Sequence, residues 1–172
     1  HNENNATVTT SFATGDVTST GGGTSVGGLG GLTTGTGNIT FCYATGSVSS
    51  DSTNVGALFG TVSGTSEIQD SYSTGNASGT SFVGGITGWT SAGTLLRVWS
   101  SGDITASGSY GGGLAGRMDG ASAVTDSWSS GNIFSGSAAG GINSQSGAAS
   151  STIRSYTTGA SSSDSHETGG FV

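Results

Sequence analysis

At 172 residues the chain has the length of one domain, but 31% hydrophobic content with 35 glycines is too poor for one thick globular core. Disorder is also disfavoured, because disordered chains are usually rich in charge and proline, whereas this one has 8% charged residues and no proline. The net charge of −7 leaves no basic patch for nucleic acid, and no apolar run approaches the roughly 18–20 residues of a membrane span. We therefore expect neither a nucleic-acid partner nor a membrane span.

A short motif, represented by Asp70-Ser71-Tyr72-Ser73-Thr74-Gly75-Asn76, recurs along the whole chain. The glycines of its copies are Gly15, Gly46, Gly75, Gly102, Gly131 and Gly159. These glycines are 27 to 31 residues apart, a period that is typical of solenoid proteins. We therefore predict one domain over residues 1–172, made of about six coils, each anchored at one of these glycines.

Each repeat contains three short apolar clusters separated by Gly, Ser, Asn and Thr, which suit strands rather than helices. The first cluster runs from the aromatic residue through the glycine, as from Tyr43 to Val48, and the second centres on a glycine pair such as Gly84-Gly85. The third is marked by an aliphatic residue about four positions before the aromatic residue, such as Ile39. The prediction is an all-β fold, a parallel β-solenoid (β-helix) with three short strands per coil, wound in the usual right-handed sense.

Equivalent residues of successive coils should stack about 4.8 Å apart, forming what we call ladders. The predicted core ladder is Leu29, Leu58, Ile86, Leu114, Ile142 and Phe171. The paired glycines are expected to make a tight corner at positive φ. The aromatic ladder is Phe12, Tyr43, Tyr72, Trp99, Trp128 and Tyr156. Two-residue alternation points these rings outward, whereas a bend at the Thr-Gly corner would turn them inward. Burial is favoured, because large rings are costly to expose, and an exterior stack remains the alternative.

The pattern Ile-x-x-Ser/Cys-Tyr-Ala-Thr-Gly-x-Val, followed by Val-Gly-Gly-Leu, resembles the GLUG-motif repeats of bacterial surface proteins, including adhesins and IgA-protease-type exoproteins. The resemblance covers nearly the whole chain. This chain departs from the pattern at Ala57, at Gly111, and in the sixth copy, where Ile153 lies one residue closer to its aromatic residue. The resemblance implies a parallel β-solenoid at a cell surface, hence an extracellular, secreted location, and it brings no catalytic residues.

Two ladders beside the aromatic residues carry polar groups. Two positions before each aromatic residue stand Thr10, Phe41, Asp70, Arg97, Asp126 and Arg154. We predict that Asp70, Arg97, Asp126 and Arg154 form an ion ladder that fixes the coil register, with a binding stripe as the alternative. After each glycine stand Asp16, Ser47, Asn76, Asp103, Asn132 and Ala160, which we expect to cap their own turns. No two of these acids are on adjacent coils, so a calcium stripe is disfavoured.

Residues of catalytic type are few and scattered. The segment Asp164-Ser165-His166-Glu167 lies in a Ser-rich turn and lacks the separate, converging positions of a triad or a metal site. Cys42 occupies a position filled elsewhere by Ser or Val, so we expect it to be inert. We predict no enzyme activity, no cofactor and no metal. Sequons make Asn5, Asn38 and Asn76 candidates for N-glycosylation.

The two ends of the sequence suggest assembly. Joining Val172 of one chain to His1 of the next would separate their flanking motif glycines by 28 residues, inside the internal range. We therefore predict a structural subunit of an extracellular filament, in which residues 1–8 of one copy complete the last coil of its neighbour. The predicted interface is His1, Asn2, Glu3, Asn4, Asn5, Ala6, Thr7, Val8, Tyr156, Gly169, Gly170, Phe171 and Val172. The same arithmetic would hold for an excised window of a longer solenoid.

Two other functions remain open. The chain could be a repeat segment of a larger adhesin whose coils display a face for cell-surface glycans or another surface. It could also bind ice through a hydroxyl ladder, which consists of Thr14, Thr45, Thr74, Ser101, Ser130 and Thr158. Ser101 and Ser130 lack the methyl groups of the other members of that ladder.

Overall fold

The computed structural model describes residues 7–170, which form about six coils of a parallel β-solenoid and contain no helix. Each strand pairs in parallel with the equivalent strand of the next coil, so that Ile39 lies beside Ile68, and Ile68 beside Leu95. The predicted β-solenoid is therefore confirmed, and the repeat period of the sequence is the length of one coil.

The strands form five parallel sheets, numbered here in the order in which each coil passes through them. The first sheet contains Val8–Thr9, Asn38–Thr40, Glu67–Gln69, Thr94–Leu96, Ala123–Thr125 and Ser151–Ile153. The second contains Phe12–Ala13, Tyr43–Ala44, Tyr72–Ser73, Trp99–Ser100, Trp128–Ser129 and Tyr156–Thr157. The third contains Val17–Ser19, Val48–Ser50, Ala77–Gly79, Ile104–Ala106, Ile133–Ser135 and Ser161–Ser163. The fourth contains Ser25–Gly27, Asn54–Gly56, Phe82–Gly84, Tyr110–Gly112, Ala138–Gly140 and Thr168–Gly169. The fifth contains Gly30–Thr33, Phe59–Ser63, Thr87–Ser91, Ala115–Asp119 and Asn143–Ser146.

A coil thus passes through five short strands rather than the three predicted, because two of the predicted segments are divided by a turn. The aromatic-glycine segment divides between the second and third sheets, at the Thr-Gly pair. The glycine-pair segment divides between the fourth and fifth sheets. At the first division the backbones approach so closely that a Cβ on Gly75 would overlap the carbonyl of Gly46 in the preceding coil. The apolar clusters of the sequence indicate which segments are buried. They do not indicate where a buried segment turns.

The paired glycines are required by close approach rather than by the positive φ that we expected. Neither Gly84 nor Gly85 is among the glycines with positive φ. A Cβ on Gly84 would overlap the carbonyl oxygen of Thr87, and one on Gly85 would overlap the hydroxyl of Ser100. The chain therefore folds back on itself at this point with almost no space between its segments.

This fold-back divides the interior into two apolar cores. Side chains of the first, second and fifth sheets and of the predicted core ladder enclose one core, which includes Leu58, Ile86, Leu114 and Ile142, all fully buried. The third and fourth sheets enclose the other, which includes Val55, Val83, Ile104 and Ile133. Leu29 is only partly buried, and Phe171 lies outside the described residues. Two thin cores explain how so little hydrophobic content holds a long chain.

Candidate functional site

Three ladders run side by side along the second sheet, and we call this surface the aromatic face. It consists of the residues two before each aromatic residue, the aromatic ladder and the hydroxyl ladder. The outward positions alternate with buried small residues, as Asp70, Tyr72 and Thr74 alternate with Ser71 and Ser73. The aromatic face is therefore the outer surface of the second sheet, whose inner surface borders the first core. It carries most of the residues that the sequence analysis selected.

The four charged residues of the ion ladder lie on consecutive coils and form two pairs. Arg97 donates to Asp70 from Nε (2.6 Å) and Nη2 (2.9 Å). Arg154 donates to Asp126 from Nε (2.5 Å) and Nη2 (2.7 Å). Within residues 7–170 no ion pair joins Arg97 to Asp126, although both charges act on each other at longer range. The ladder therefore ties the third coil to the fourth and the fifth to the sixth.

These pairs shift the pKa values of the four groups. The hydrogen bonds from Arg97 and then from Gln69 hold the pKa of Asp70 below its usual value. The hydrogen bonds from Arg154 do the same for the pKa of Asp126. In return, the aspartates raise the pKa of both guanidinium groups. All four side chains face water, so the pairs are screened surface interactions that set register more than they add stability.

The whole ladder that contains these ions adopts left-handed backbone conformation. The φ angles of Thr10, Phe41, Asp70, Arg97, Asp126 and Arg154 lie between 46° and 56°. Such angles are uncommon for residues other than glycine and cost roughly 1–2 kcal/mol each. The next residue offsets part of this cost. The hydroxyl of Ser71 donates to the carbonyl of Gln69 (2.8 Å) and accepts the backbone N–H of Cys42 (3.0 Å).

The aromatic ladder is an exterior stack, so the favoured expectation of burial was wrong. Neighbouring rings lie nearly parallel, with centroids 4.4 Å apart for Tyr72 and Trp99 and 5.0 Å apart for Trp99 and Trp128. Each inner ring covers the faces of its neighbours and is only partly exposed, whereas the end rings Phe12 and Tyr156 are 61% and 56% exposed. The rings need not enter the core, because stacking alone removes most of their faces from water.

Small inward residues of the second sheet leave no room for rings on the inside. Ser73 and Ser129 are buried, and their hydroxyls donate to the carbonyls of Gly85 and Gly141, each at 2.5 Å. The second sheet is thereby tied directly to the glycine corner. A large ring in place of either serine would force these two segments apart.

The polar ladder after the motif glycines caps the neighbouring coil rather than its own turn, which corrects our expectation. The side chain of Asp16 accepts the backbone N–H of Ser47, that of Asn76 the N–H of Asp103, and that of Asp103 the N–H of Asn132. Each of these bonds is 2.8 Å long. The residues of this ladder are exposed, as are nearly all members of the hydroxyl ladder.

Cys42 and the segment 164–167 show no catalytic arrangement in the described part of the chain. The thiol of Cys42 is fully buried and donates to the carbonyl of Thr40 (3.3 Å), as the serine hydroxyls do at the same position. His166 is exposed, with its Nδ1 2.8 Å from the hydroxyl of Ser165. Across residues 7–170, no three His, Cys, Asp or Glu side chains come close enough together to hold a metal ion.

The glycosylation candidates and the assembly residues are only partly described. Asn38 and Asn76 are exposed, and their glycosylation stays a prediction. Of the residues assigned to assembly, the structure describes Thr7, Val8, Tyr156, Gly169 and Gly170. The others lie outside the described residues: His1, Asn2, Glu3, Asn4, Asn5, Ala6, Phe171 and Val172, of which Asn5 is also a glycosylation candidate.

The end coils of the described solenoid have open strand edges. Val8–Thr9 pairs only with the second coil, and Ser151–Ile153 only with the fifth, within residues 7–170. Among residues 7–170 the fifth sheet has five strands where the other four sheets have six, so no described strand pairs with the outer edge of Asn143–Ser146. Both ends of the described solenoid therefore present backbone groups that can pair with a further strand.

The sequence did not predict one group of side chains that the fold brings together. It consists of Phe82, Trp89, Tyr110, Arg117 and Asp119, which meet where the outer surfaces of the fourth and fifth sheets converge. We call it the corner cluster. The sequence signal for it is that the third and fourth coils carry rings and charges where the other coils carry mostly short or uncharged side chains. Finding it required knowing that the chain folds back between the fourth and fifth sheets.

Comparisons with protein-family models, with curated proteins and with solved structures find no match to this chain. Within residues 7–170, no helix is long and apolar enough to cross a membrane. The resemblance to GLUG-motif repeats and the extracellular location therefore remain predictions.

Proposed function

We propose that the chain is a structural subunit that stacks head to tail on copies of itself, forming an extracellular filament. The observation that carries the proposal is the pair of open ends. Strand edges of this kind direct the pairing of another chain, and solenoids that remain single normally cover them with a cap. Residues 7–170 contain no element that covers either end.

The two ends also complement each other. Phe12 is the first ring of the aromatic ladder and Tyr156 the last, and each is stacked on one ring only among the described residues. In a head-to-tail stack, Tyr156 of one copy would lie against Phe12 of the next and continue the ladder. The segment that precedes Val8 would enter the open position beside Asn143–Ser146, completing the fifth sheet by strand addition.

Because the two contacting surfaces differ, the contact is heterologous and does not close on itself, which gives a filament. About six coils at 4.8 Å each predict an axial rise on the order of 29 Å per subunit. Phe41 is as exposed as Phe12 but lies on the second coil rather than at an end of the solenoid. Phe41→Asp is therefore a matched control for Phe12→Asp.

Analytical ultracentrifugation and negative-stain electron microscopy of the purified chain test the proposal. We expect concentration-dependent filaments that are lost in Phe12→Asp, in Tyr156→Asp and on deletion of residues 1–8, and kept in Phe41→Asp. A chain that stays monomeric at high concentration, or a deletion variant that assembles as well as the full chain, would overturn it.

A second candidate is a repeat segment of a larger cell-surface adhesin, which the resemblance to GLUG-motif repeats favours. In that case further coils of the same polypeptide would cover the open edges. Adding neighbouring coils to the purified chain would then raise its melting temperature, because they would fill edges that a filament subunit fills by self-assembly. The melting temperature of the extended chain, measured beside ultracentrifugation, therefore distinguishes the two candidates.

A further inference from the structure

The outer surfaces of the fourth and fifth sheets meet in a concave corner that runs along the solenoid. Outward side chains of one sheet contact those of the other. Asn54 of the fourth sheet donates from Nδ2 to the hydroxyl of Thr61 of the fifth (3.1 Å), and the hydroxyl of Ser25 lies 2.8 Å from the same oxygen. Side chains that point away from both cores can touch only where the surface is folded inward, and we call this corner the groove. Asn54 and Thr61 close it at the second coil, being 8% and 3% exposed, whereas Phe82, Trp89, Tyr110 and Arg117 are partly exposed further along.

The filling of this groove changes from coil to coil. Along the fourth sheet the equivalent outward residues are Ser25, Asn54, Phe82, Tyr110 and Ala138. Along the fifth sheet they are Leu32, Thr61, Trp89, Arg117 and Gln145. The first two coils thus hold mostly short side chains, and the third and fourth hold the three rings and the guanidinium of the corner cluster. Since the same coil forms with small residues there, the fold does not require the large ones.

The members of the corner cluster hold one another in place. One oxygen of Asp119, Oδ2, accepts the indole N–H of Trp89 (2.9 Å) and lies 2.7 Å from Nε of Arg117. The guanidinium carbon of Arg117 lies 5.1 Å from the centre of the Phe82 ring, within the range of a cation–π contact. Phe82 in turn stacks on Tyr110 with centroids 5.6 Å apart. Charged and aromatic groups fixed in this way are pre-organised for a ligand.

The charged part of the corner is partly open to solvent. The side chains of Arg117 and Asp119 are 36% and 24% exposed. A guanidinium and a carboxylate are therefore presented together at the surface of the groove.

We propose that the corner cluster binds a neutral saccharide unit. Arg117 and Asp119 cancel each other's charge and the chain carries −7, so the site offers no excess positive charge to a polyanion. A sugar hydroxyl both donates and accepts, which suits a carboxylate beside a guanidinium. The C–H faces of a sugar ring suit aromatic side chains with open faces. Trp89 is partly exposed and stacks on no other ring in the described chain, whereas the aromatic face presents mainly ring edges.

The test measures binding of the full chain to immobilised dextran, mannan and hydroxyethylcellulose on a biosensor, with alginate as the polyanion. We expect saturable binding to at least one neutral polysaccharide. Arg117→Ala and Trp89→Ala should each weaken it by about tenfold or more. Arg97→Ala removes the same charge from the aromatic face and should leave the affinity unchanged. Melting curves establish that each variant is folded, and Arg117→Lys, which keeps the charge and loses the planar fork, replaces Arg117→Ala if the latter unfolds.

No binding to any of the three neutral polysaccharides overturns the proposal. So does binding that survives Arg117→Ala and Trp89→Ala, or binding to alginate alone. The proposal does not depend on filament assembly, because the groove lies along the side of the solenoid and both of its key residues are on inner coils. Binding measurements on Tyr156→Asp, which should be monomeric, test saccharide binding separately from filament assembly. This variant should bind saccharide as the full chain does.

Discussion

The guanidinium of Arg97 binds the carboxylate of Asp70, one coil earlier, through two hydrogen bonds of 2.6 and 2.9 Å. Arg154 and Asp126 repeat the arrangement two coils further along. Both residues of each pair have left-handed backbone conformation. A shift of any one of these four coils by a single residue would separate the pair to which that coil contributes, which makes the two pairs reporters of register.

The first prediction concerns the pH dependence of stability. The folded-state pKa of Asp70 and of Asp126 is lowered, so the stability that they contribute is fully present above their unfolded pKa of about 3.9. It is lost as the pH falls from there through the folded pKa. We expect the double variant Asp70→Asn, Asp126→Asn to melt below the native chain at neutral pH, and the difference to shrink as the pH falls below about 3.9.

The control for that experiment is Asp51→Asn, which removes an exposed acid outside both pairs. Its melting temperature should follow that of the native chain across the same pH range. A difference for the double variant that stays constant from neutral to acid pH would contradict the assignment of the shifts to these pairs.

The second prediction concerns the stacked glycines of the motif. A Cβ on Gly102 would overlap the carbonyl of Gly75, which is backbone and cannot rotate away. Gly15 holds the same position in the first coil, where a Cβ would meet nothing within 4 Å. We expect Gly102→Ala to lower the free energy of unfolding by about 3 kcal/mol or more and Gly15→Ala to change it little. Urea denaturation of the two variants measures the contrast, and equal effects would show that conformational freedom rather than close approach selects glycine.

The third prediction concerns strain at the left-handed corner. Phe41 has a φ of 56° and is 62% exposed, so its side chain gains little from burial while its backbone is strained. Asparagine tolerates this conformation better. Phe41→Asn should therefore raise the free energy of unfolding by about 1 kcal/mol. Phe134 is 40% exposed on an ordinary strand, where Phe134→Asn should destabilise because asparagine disfavours strands. A loss of stability in both variants would contradict the strain argument.

The coil period, the parallel pairing, the core ladder and the ion pairs follow from the sequence, because each depends only on which residues recur at the same position. The division of a coil into five strands cannot be predicted from the sequence. A turn such as that between Gly84 and Thr87 depends on backbone contacts between different segments of the chain. The corner cluster is hidden for the same reason. Phe82 and Arg117 belong to different coils and different sheets, and only the fold-back at the glycine pair brings them together.

The direction of the aromatic rings shows where a rule of side-chain burial fails in a solenoid. In a globular domain a tryptophan leaves water by entering the core, but Trp99 leaves it by lying between Tyr72 and Trp128. Trp99→Ala should therefore destabilise the chain by about 2–4 kcal/mol even though the ring is outside the core, because two ring contacts and the area buried in them are lost. Trp99→Tyr keeps a ring in the stack and should cost less than about 1 kcal/mol. Urea denaturation of both variants makes the comparison, and an alanine variant as stable as the tyrosine variant would mean that the stack adds nothing to the fold.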